Sequence, residues 1–251
     1  MNVRQFNKIN ESLFSQDCLS FFNDGIQFGF NNFIDKDIKR VGYAINLTID
    51  IIEQAREQNI DLILTHHNVW DEMLEMVDDT FNLLKEYGIV HYYNHLPLDA
   101  SDFGPTRTLA RQLGLTIVDE IVKWDDYAFG IVGEWDEPKT LEELEQLLDE
   151  ALGHKSRVWK FNDRKIKRVG VVAGSAGNPG ELHEALQKGC DAYITGEKKM
   201  KTIVYAQHVK LNFLLGSHIF TERGGIEEYA RRLQERMPEV EFIPLKEEHI
   251  E

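Results

Sequence analysis

Apolar runs of strand length alternate along the chain with stretches of helical periodicity. Val41 to Leu47, Leu62 to Leu64, Tyr127 to Val132, Val169 to Val172 and Phe213 to Leu215 are short and rich in large apolar residues, which predicts buried strands. Between them, Thr48 is placed to cap a helix running through Asn59. Thr140 with Glu143 forms a capping box ahead of Leu141, Leu144, Leu148 and Leu152, a helix that Gly153 ends. The helix carrying Leu182, Ala185 and Leu186 stops in the same way at Gly189. Strands alternating with helices predict an α/β fold.

The pattern also repeats. Ile38-Lys39-Arg40-Val41-Gly42 recurs as Ile166-Lys167-Arg168-Val169-Gly170, and after a helix each copy reaches a short strand that starts with aspartate. These strands are Asp61-Leu62-Ile63-Leu64-Thr65 and Asp191-Ala192-Tyr193-Ile194-Thr195. Further on, His95 stands four residues before Asp99, as His218 stands four before Glu222. Three landmarks in one order predict two similar β-α-β lobes related by internal pseudo-symmetry, residues 1–126 and 127–251.

Charge and composition narrow the function. The 43 acidic against 28 basic side chains give a net charge of −15, which argues against direct nucleic-acid binding through neutralised phosphates. No apolar run is long enough to span a membrane and the first residues lack a signal-peptide core, so the expectation is a cytoplasmic protein. Cys18 and Cys190 lack metal-ligand spacing and read as inert buried thiols rather than a disulfide framework.

Chemistry gathers at the strand ends. Thr65-His66-His67 follows the run Leu62 to Leu64, and ligands of open α/β sheets collect beyond the carboxyl ends of strands. Two adjacent histidines there can serve two metals, or else a polar loop that caps nearby carbonyls. After the strand ending at Leu215, the one-turn spacing of His218 and Glu222 lets both face one point if the segment coils. An ordinary ion pair at the start of the helix of Ile226, Tyr229 and Leu233 is the competing reading, with Gly224-Gly225 supplying backbone freedom. In His95-Leu96-Pro97-Leu98-Asp99, Pro97 fixes a turn that presents Asp99. Imidazoles from His66, His67 and His218 with carboxylates from Asp99 and Glu222 suit Zn, Mn, Fe, Co or Ni, and a carboxylate can bridge two ions. Gly174-Ser175-Ala176-Gly177 reads as a tight strand-to-helix turn, since it lacks a P-loop lysine. Trp70, Asp71 and Glu72 line a mouth beside the histidines or form a surface loop, and Glu247-Glu248-His249 reads as a solvated tail.

At these residues the chain resembles the Nif-three-like family of dinuclear metal proteins, also labelled GTP cyclohydrolase type-two-like. The resemblance rests on Asn23-Asp24-Gly25-Ile26-Gln27, Leu64-Thr65-His66-His67, His95 through Ala100, Asp191 through Glu197 and Gly216 through Gly225. It implies a two-lobed α/β subunit with two divalent metal ions between the lobes, held by His66, His67, Asp99, His218 and Glu222. It further implies a toroidal homohexamer, for which Phe28, Phe30 and Phe33 are candidate contact residues with core packing as the alternative, and no extra domain inserted between the lobes. His95 and Glu197 match positions near the metals where they can move protons, and Thr65 and Thr221 stand beside them. The activity implied is metal-dependent hydrolysis of a small molecule, with a non-catalytic metallochaperone or regulatory scaffold as the alternative.

Overall fold

One aspartate fastens each copy of the repeated Ile-Lys-Arg-Val-Gly segment. In the structure, a computed structural model that describes residues 1–248, the Asp61 carboxylate accepts hydrogen bonds from the backbone N–H groups of Lys39 (2.9 Å) and Arg40 (3.1 Å). Asp191 does the same for Lys167 (3.0 Å) and Arg168 (3.1 Å). The two arginines in turn donate to the last carbonyls of the intervening helices, Arg40 to Gln58 (2.6 Å) and Arg168 to Lys188 (2.7 Å), which would otherwise lack partners. Strand start is thus pinned to strand start, and the parallel ladders pair Val41 with Leu62 and Val169 with Ala192.

In chain order the elements are α1 (Val3–Glu11), α2 (Gln16–Phe22), β1 (Ile26–Phe28), α3 (Phe30–Phe33), β2 (Arg40–Ala44), α4 (Ile49–Glu57), β3 (Leu62–Thr65), α5 (Glu75–Tyr87), β4 (Val90–Tyr93) and α6 (Leu96–Ala100). Then follow α7 (Pro105–Gln112), β5 (Thr116–Trp124), β6 (Tyr127–Lys139), α8 (Leu141–Leu152), β7 (Arg157–Trp159), β8 (Ile166–Val172) and α9 (Pro179–Gln187). The chain ends through β9 (Ala192–Thr195), α10 (Met200–Val209), β10 (Asn212–Leu215), α11 (His218–Arg236) and β11 (Glu241–Pro244). Thr48 caps α4 by accepting from Ile51 N (3.2 Å), and the Thr140–Glu143 capping box opens α8 as its sequence requires.

Among the described residues two units result, 1–101 with 226–248, and Asp102–Gly225. The sheet of the first runs β1-β4-β3-β2-β11, with β1 antiparallel at one edge and the other four strands parallel. The sheet of the second runs β5-β6-β8-β9-β10-β7, with β8, β9 and β10 parallel and the remaining strands antiparallel. Both therefore hold three parallel strands joined by helices, with an antiparallel strand on the outer edge of the third. This is the α/β class with similar β-α-β lobes. They differ on the opposite edge, where the first unit recruits β11 and the second the β5–β6 hairpin. Residue 126, the expected edge of the first lobe, sits in the turn of that hairpin.

Strand alternation sends side chains to both faces of each sheet. In the second unit Val169, Val171, Ile194 and Leu214 pack with Leu144, Leu148 and Leu152 of α8, while Val172, Tyr193 and Phe213 pack with Leu182 and Ala185 of α9. In the first, Ile63 packs with Ile51, Ile52 and Ala55 of α4 and with Leu84 of α5. Phe28 joins that core, its ring stacked on Phe81 with centroids 5.4 Å apart, so core packing accounts for it. Both cysteines are buried thiols, and burial pushes Cys190 up to about 12. Among the described residues no helix is long and apolar enough to cross a membrane.

Because each aspartate satisfies two backbone donors, Asp61→Ala and Asp191→Ala are each expected to lower stability by about 2 kcal/mol. The change should appear as a shifted denaturant midpoint at unchanged slope. A loss of only a few tenths for either variant would show that the repeat does not anchor its strand.

Candidate metal centre

In the first unit the donors gather because β3 stops at Thr65 while its ladder with β2 continues through the next two residues. His66 N bonds Ala44 O (3.3 Å) and His67 N bonds Ile45 O (2.9 Å), which holds the adjacent histidines in a fixed register. The Thr65 hydroxyl donates to the His67 carbonyl and closes the turn. Each ring then meets a protein acceptor through its inner nitrogen: His66 Nδ1 lies 3.1 Å from the Asn94 carbonyl oxygen, and His67 Nδ1 lies 2.7 Å from Asn46 Oδ1. An Nδ1–H bonded in this way leaves Nε2 as the basic nitrogen, the arrangement seen when histidine ligates a metal.

His95 sits at the N-cap of α6, a helix of five residues rather than the bare turn expected at Pro97, and Asp99 lies within it. The His95 ring stands 4.9 Å from that of His66 and 5.1 Å from that of His67, centroid to centroid, and the three imidazoles bring ligand nitrogens within 4.8 Å of one another. Asp99 lies across from them, Oδ1 3.4 Å from His66 Nε2 and Oδ2 3.7 Å from His95 Nε2. Two ligands held at roughly 2.1 Å by one tetrahedral ion stand about 3.4 Å apart, so the donor set fits a divalent cation. Trp70 stands beside His67, with ring centroids 4.9 Å apart.

Asp24 was not singled out as a site residue, yet its Oδ2 accepts from His95 N at 2.6 Å. Burial pushes its carboxyl up to about 6, against the pull of the His95 and Leu96 backbone N–H groups and of His66. The signal for it in the sequence was the Asn23-Asp24-Gly25 turn, where Asn23 takes φ 58°.

In the second unit, α11 begins at His218, eight residues earlier than the apolar stripe from Ile226 suggested. His218 and Glu222 therefore lie one turn apart on a helix, with Nε2 3.1 Å from Oε1. The other ring nitrogen, Nδ1, is 2.5 Å from Glu197 Oε1. Burial works against the imidazolium, but the Glu222 and Glu197 carboxylates outweigh it and raise His218 to about 9. Two carboxylates beside one imidazole leave excess negative charge even when the ring is protonated, which again suits a divalent cation. Thr221 serves the backbone: its hydroxyl donates to Ser217 O (2.7 Å) and accepts from Gly174 N (3.0 Å).

Gly174 in the β8–α9 turn has φ +66°, and a Cβ there would collide with Glu222 Oε1 and sit 3.1 Å from His218 Nε2. The glycine is what lets a buried carboxylate approach the loop. Gly224 and Gly225, expected to free the backbone, are instead helical; a Cβ on Gly225 would fall 2.6 Å from Pro105 N, so their role is close approach to α7.

A family model for Duf34/NIF3 (NGG1p interacting factor 3) matches residues 1–249. The chain belongs to this family. A relative from Yersinia pestis named GTP cyclohydrolase 1 type 2 homolog is 30% identical over 220 residues, covering 84% of this chain and 85% of its own. One of the same name from Pyrococcus horikoshii is 28% identical, covering 80% and 82%. Among solved structures, reduced HcgD from Methanocaldococcus jannaschii matches with a TM-score of 0.82 at 21% identity over 98% of both chains. A Bacillus cereus protein related to NIF3 matches at 0.83 and 16%, covering 100% of this chain and 98% of its own. At those identities the structures speak for the fold.

Gly174→Ala should displace Glu222 and, through its positive φ, cost about 1–3 kcal/mol. Gly180→Ala, where a Cβ meets nothing within 4 Å, is the control and should be neutral or slightly stabilising. Equal melting temperatures for the two variants would refute the close approach.

Proposed function

We propose that this chain binds two divalent metal ions and uses them in hydrolysis, with His66, His67 and Asp99 as donors from the first unit and His218 and Glu222 from the second. The observation that carries this reading is the one common to both units: imidazole and carboxylate atoms converge at ligand-like separations while the opposite ring nitrogens are held by Asn94, Asn46 and Glu197. When bound, such ions lower the pKa of a water and polarise a phosphoryl, amide or ring carbon. The chain's own residues do the remaining work. Asp24 fixes the backbone of His95, whose side chain is about one-third exposed and suited to carry a proton. Glu197 is half-exposed; burial alone would raise its carboxyl, but bonds from His218 and Ser175 keep it below the usual range and ionised as a proton acceptor. The name of the curated relatives, GTP cyclohydrolase 1 type 2 homolog, supports hydrolysis as the reaction class.

Metal analysis after chelation and reloading with Zn, Mn, Fe, Co or Ni should give two ions per chain. A stoichiometry below one ion would remove the reading. Glu222→Gln should lose metal more readily than Glu197→Gln, because it removes charge from a donor rather than from a neighbour of one. A panel of phosphoesters, amides and nucleotides should turn over with loaded protein and not with chelated protein; full loading without turnover would overturn hydrolysis in favour of a binding role.

The hexamer implied by the resemblance is proposed on that ground alone. Light scattering at physiological salt should find about six times the 29.1 kDa chain mass, and a stable single-chain species would refute the ring.

A further inference from the structure

Glu247-Glu248-His249 was expected to be a solvated tail, and the last of the three, His249, lies outside the described residues. Glu247 is not solvated tail. Leu245 is buried and its N–H bonds Tyr43 O (2.9 Å). Gln54 of α4 then clamps Lys246 with two backbone bonds, donating to its carbonyl (2.7 Å) and accepting from its N–H (2.9 Å). That clamp sets Glu247 over the loop joining β2 to α4. Its Oε2 accepts from the backbone N–H groups of Ile45 (3.0 Å) and Asn46 (3.3 Å), and its Oε1 accepts from the Asn46 side-chain Nδ2. On the far side of the same amide, Asn46 Oδ1 meets His67 Nδ1 at 2.7 Å.

With Glu247 ionised and the His67 ring neutral, one arrangement of protons satisfies this chain of contacts. An ionised carboxylate accepts and cannot donate, so the amide NH2 of Asn46 must face Glu247. Its oxygen must then face the imidazole, and because that oxygen only accepts, His67 Nδ1 carries the ring proton. The basic nitrogen is Nε2. We propose that Glu247 is a positioning residue that sets the tautomer of His67 through Asn46 and so prepares Nε2 as a cation donor. The tautomer step stands on these contacts alone, and its consequence for a cation rests on the metal-binding reading above.

Glu247→Gln should break the relay. With its amide oxygen on the two backbone N–H groups, the glutamine NH2 faces the Asn46 NH2. Relief requires Asn46 to flip, which sets a donor against His67 Nδ1 and moves the ring proton to Nε2. Adding Asn46→Asp to the same protein reverses the polarity. The introduced glutamine would donate to the introduced aspartate, that carboxylate would accept from His67 Nδ1–H, and the total charge is that of the wild type. A purely space-filling role for Glu247 offers no route to such a rescue.

The test is a long-range proton–nitrogen correlation spectrum of metal-free protein labelled at histidine, at mildly alkaline pH, with His67 assigned from a His67→Gln sample. Zn affinity is measured alongside by chelator competition. The wild type should show a protonated Nδ1 and a basic Nε2. Glu247→Gln should shift His67 toward the other tautomer and weaken Zn binding about ten- to a hundredfold, and the double variant Glu247→Gln/Asn46→Asp should recover both. A wild-type His67 protonated at Nε2, or a Glu247→Gln protein indistinguishable from wild type in both readouts, overturns the proposal. The wild-type spectrum decides the tautomer even where a variant folds poorly. An Nδ1-protonated His67 in a protein that takes up no metal sustains the relay and overturns the metal-binding reading instead.

Discussion

An imidazole can hold a cation only through a nitrogen that has given up its proton, and the fold is arranged to decide which nitrogen that is. Asn94 can accept from His66 because its own N–H is tied back to Thr65 O at 3.1 Å, which fixes the carbonyl at the end of β4. Asn46 can accept from His67 because Glu247 occupies its donor side. His91 shows what the same residue type does without such an arrangement. Its Nε2 meets Thr65 Oγ1 at 2.7 Å, the Thr65 proton being committed to the His67 carbonyl, and complete burial pushes the ring down to about 3. That histidine stays neutral and structural.

Burying Glu222 requires backbone to come very close to a carboxylate. Gly174 makes room for its oxygen, and Gly196 makes room for His218, since a Cβ there would stand 2.7 Å from the His218 Cα. Thr195 and Thr221 then lace the same loop: Thr195 donates to Gly174 O (3.1 Å) and accepts from Ala176 N (3.2 Å). Ionic groups this poorly solvated are held by geometry that the surrounding hydrogen bonds over-determine.

The duplicated frame explains why the donors sit at strand ends. In each unit an aspartate and an arginine register the first two parallel strands, and each unit displays its chemistry just beyond the last residues of those ladders. The copies then diverge. After the second strand the first displays two histidines where the second displays Gly196-Glu197; after the third strand the likeness returns, with His95 and Asp99 in the first and His218 and Glu222 in the second.

The local parts were legible in the sequence. Apolar runs, the Thr140–Glu143 box and the repeated segment determine the strands, the caps and the likeness of the two units, because those signals act over a few residues. The histidine and carboxylate candidates were legible for the same reason: spacing puts His218 and Glu222 on one helical face, and the motifs of the family supplied the rest. What spacing cannot convey is long-range pairing. Nothing near Glu247 in the chain says that it reaches Asn46, nothing near Asp24 says that it holds His95, and nothing near Gly224 and Gly225 says that α7 packs against them. Those roles arise from contacts across 71 to 201 residues, made by the folded backbone and not by any local preference.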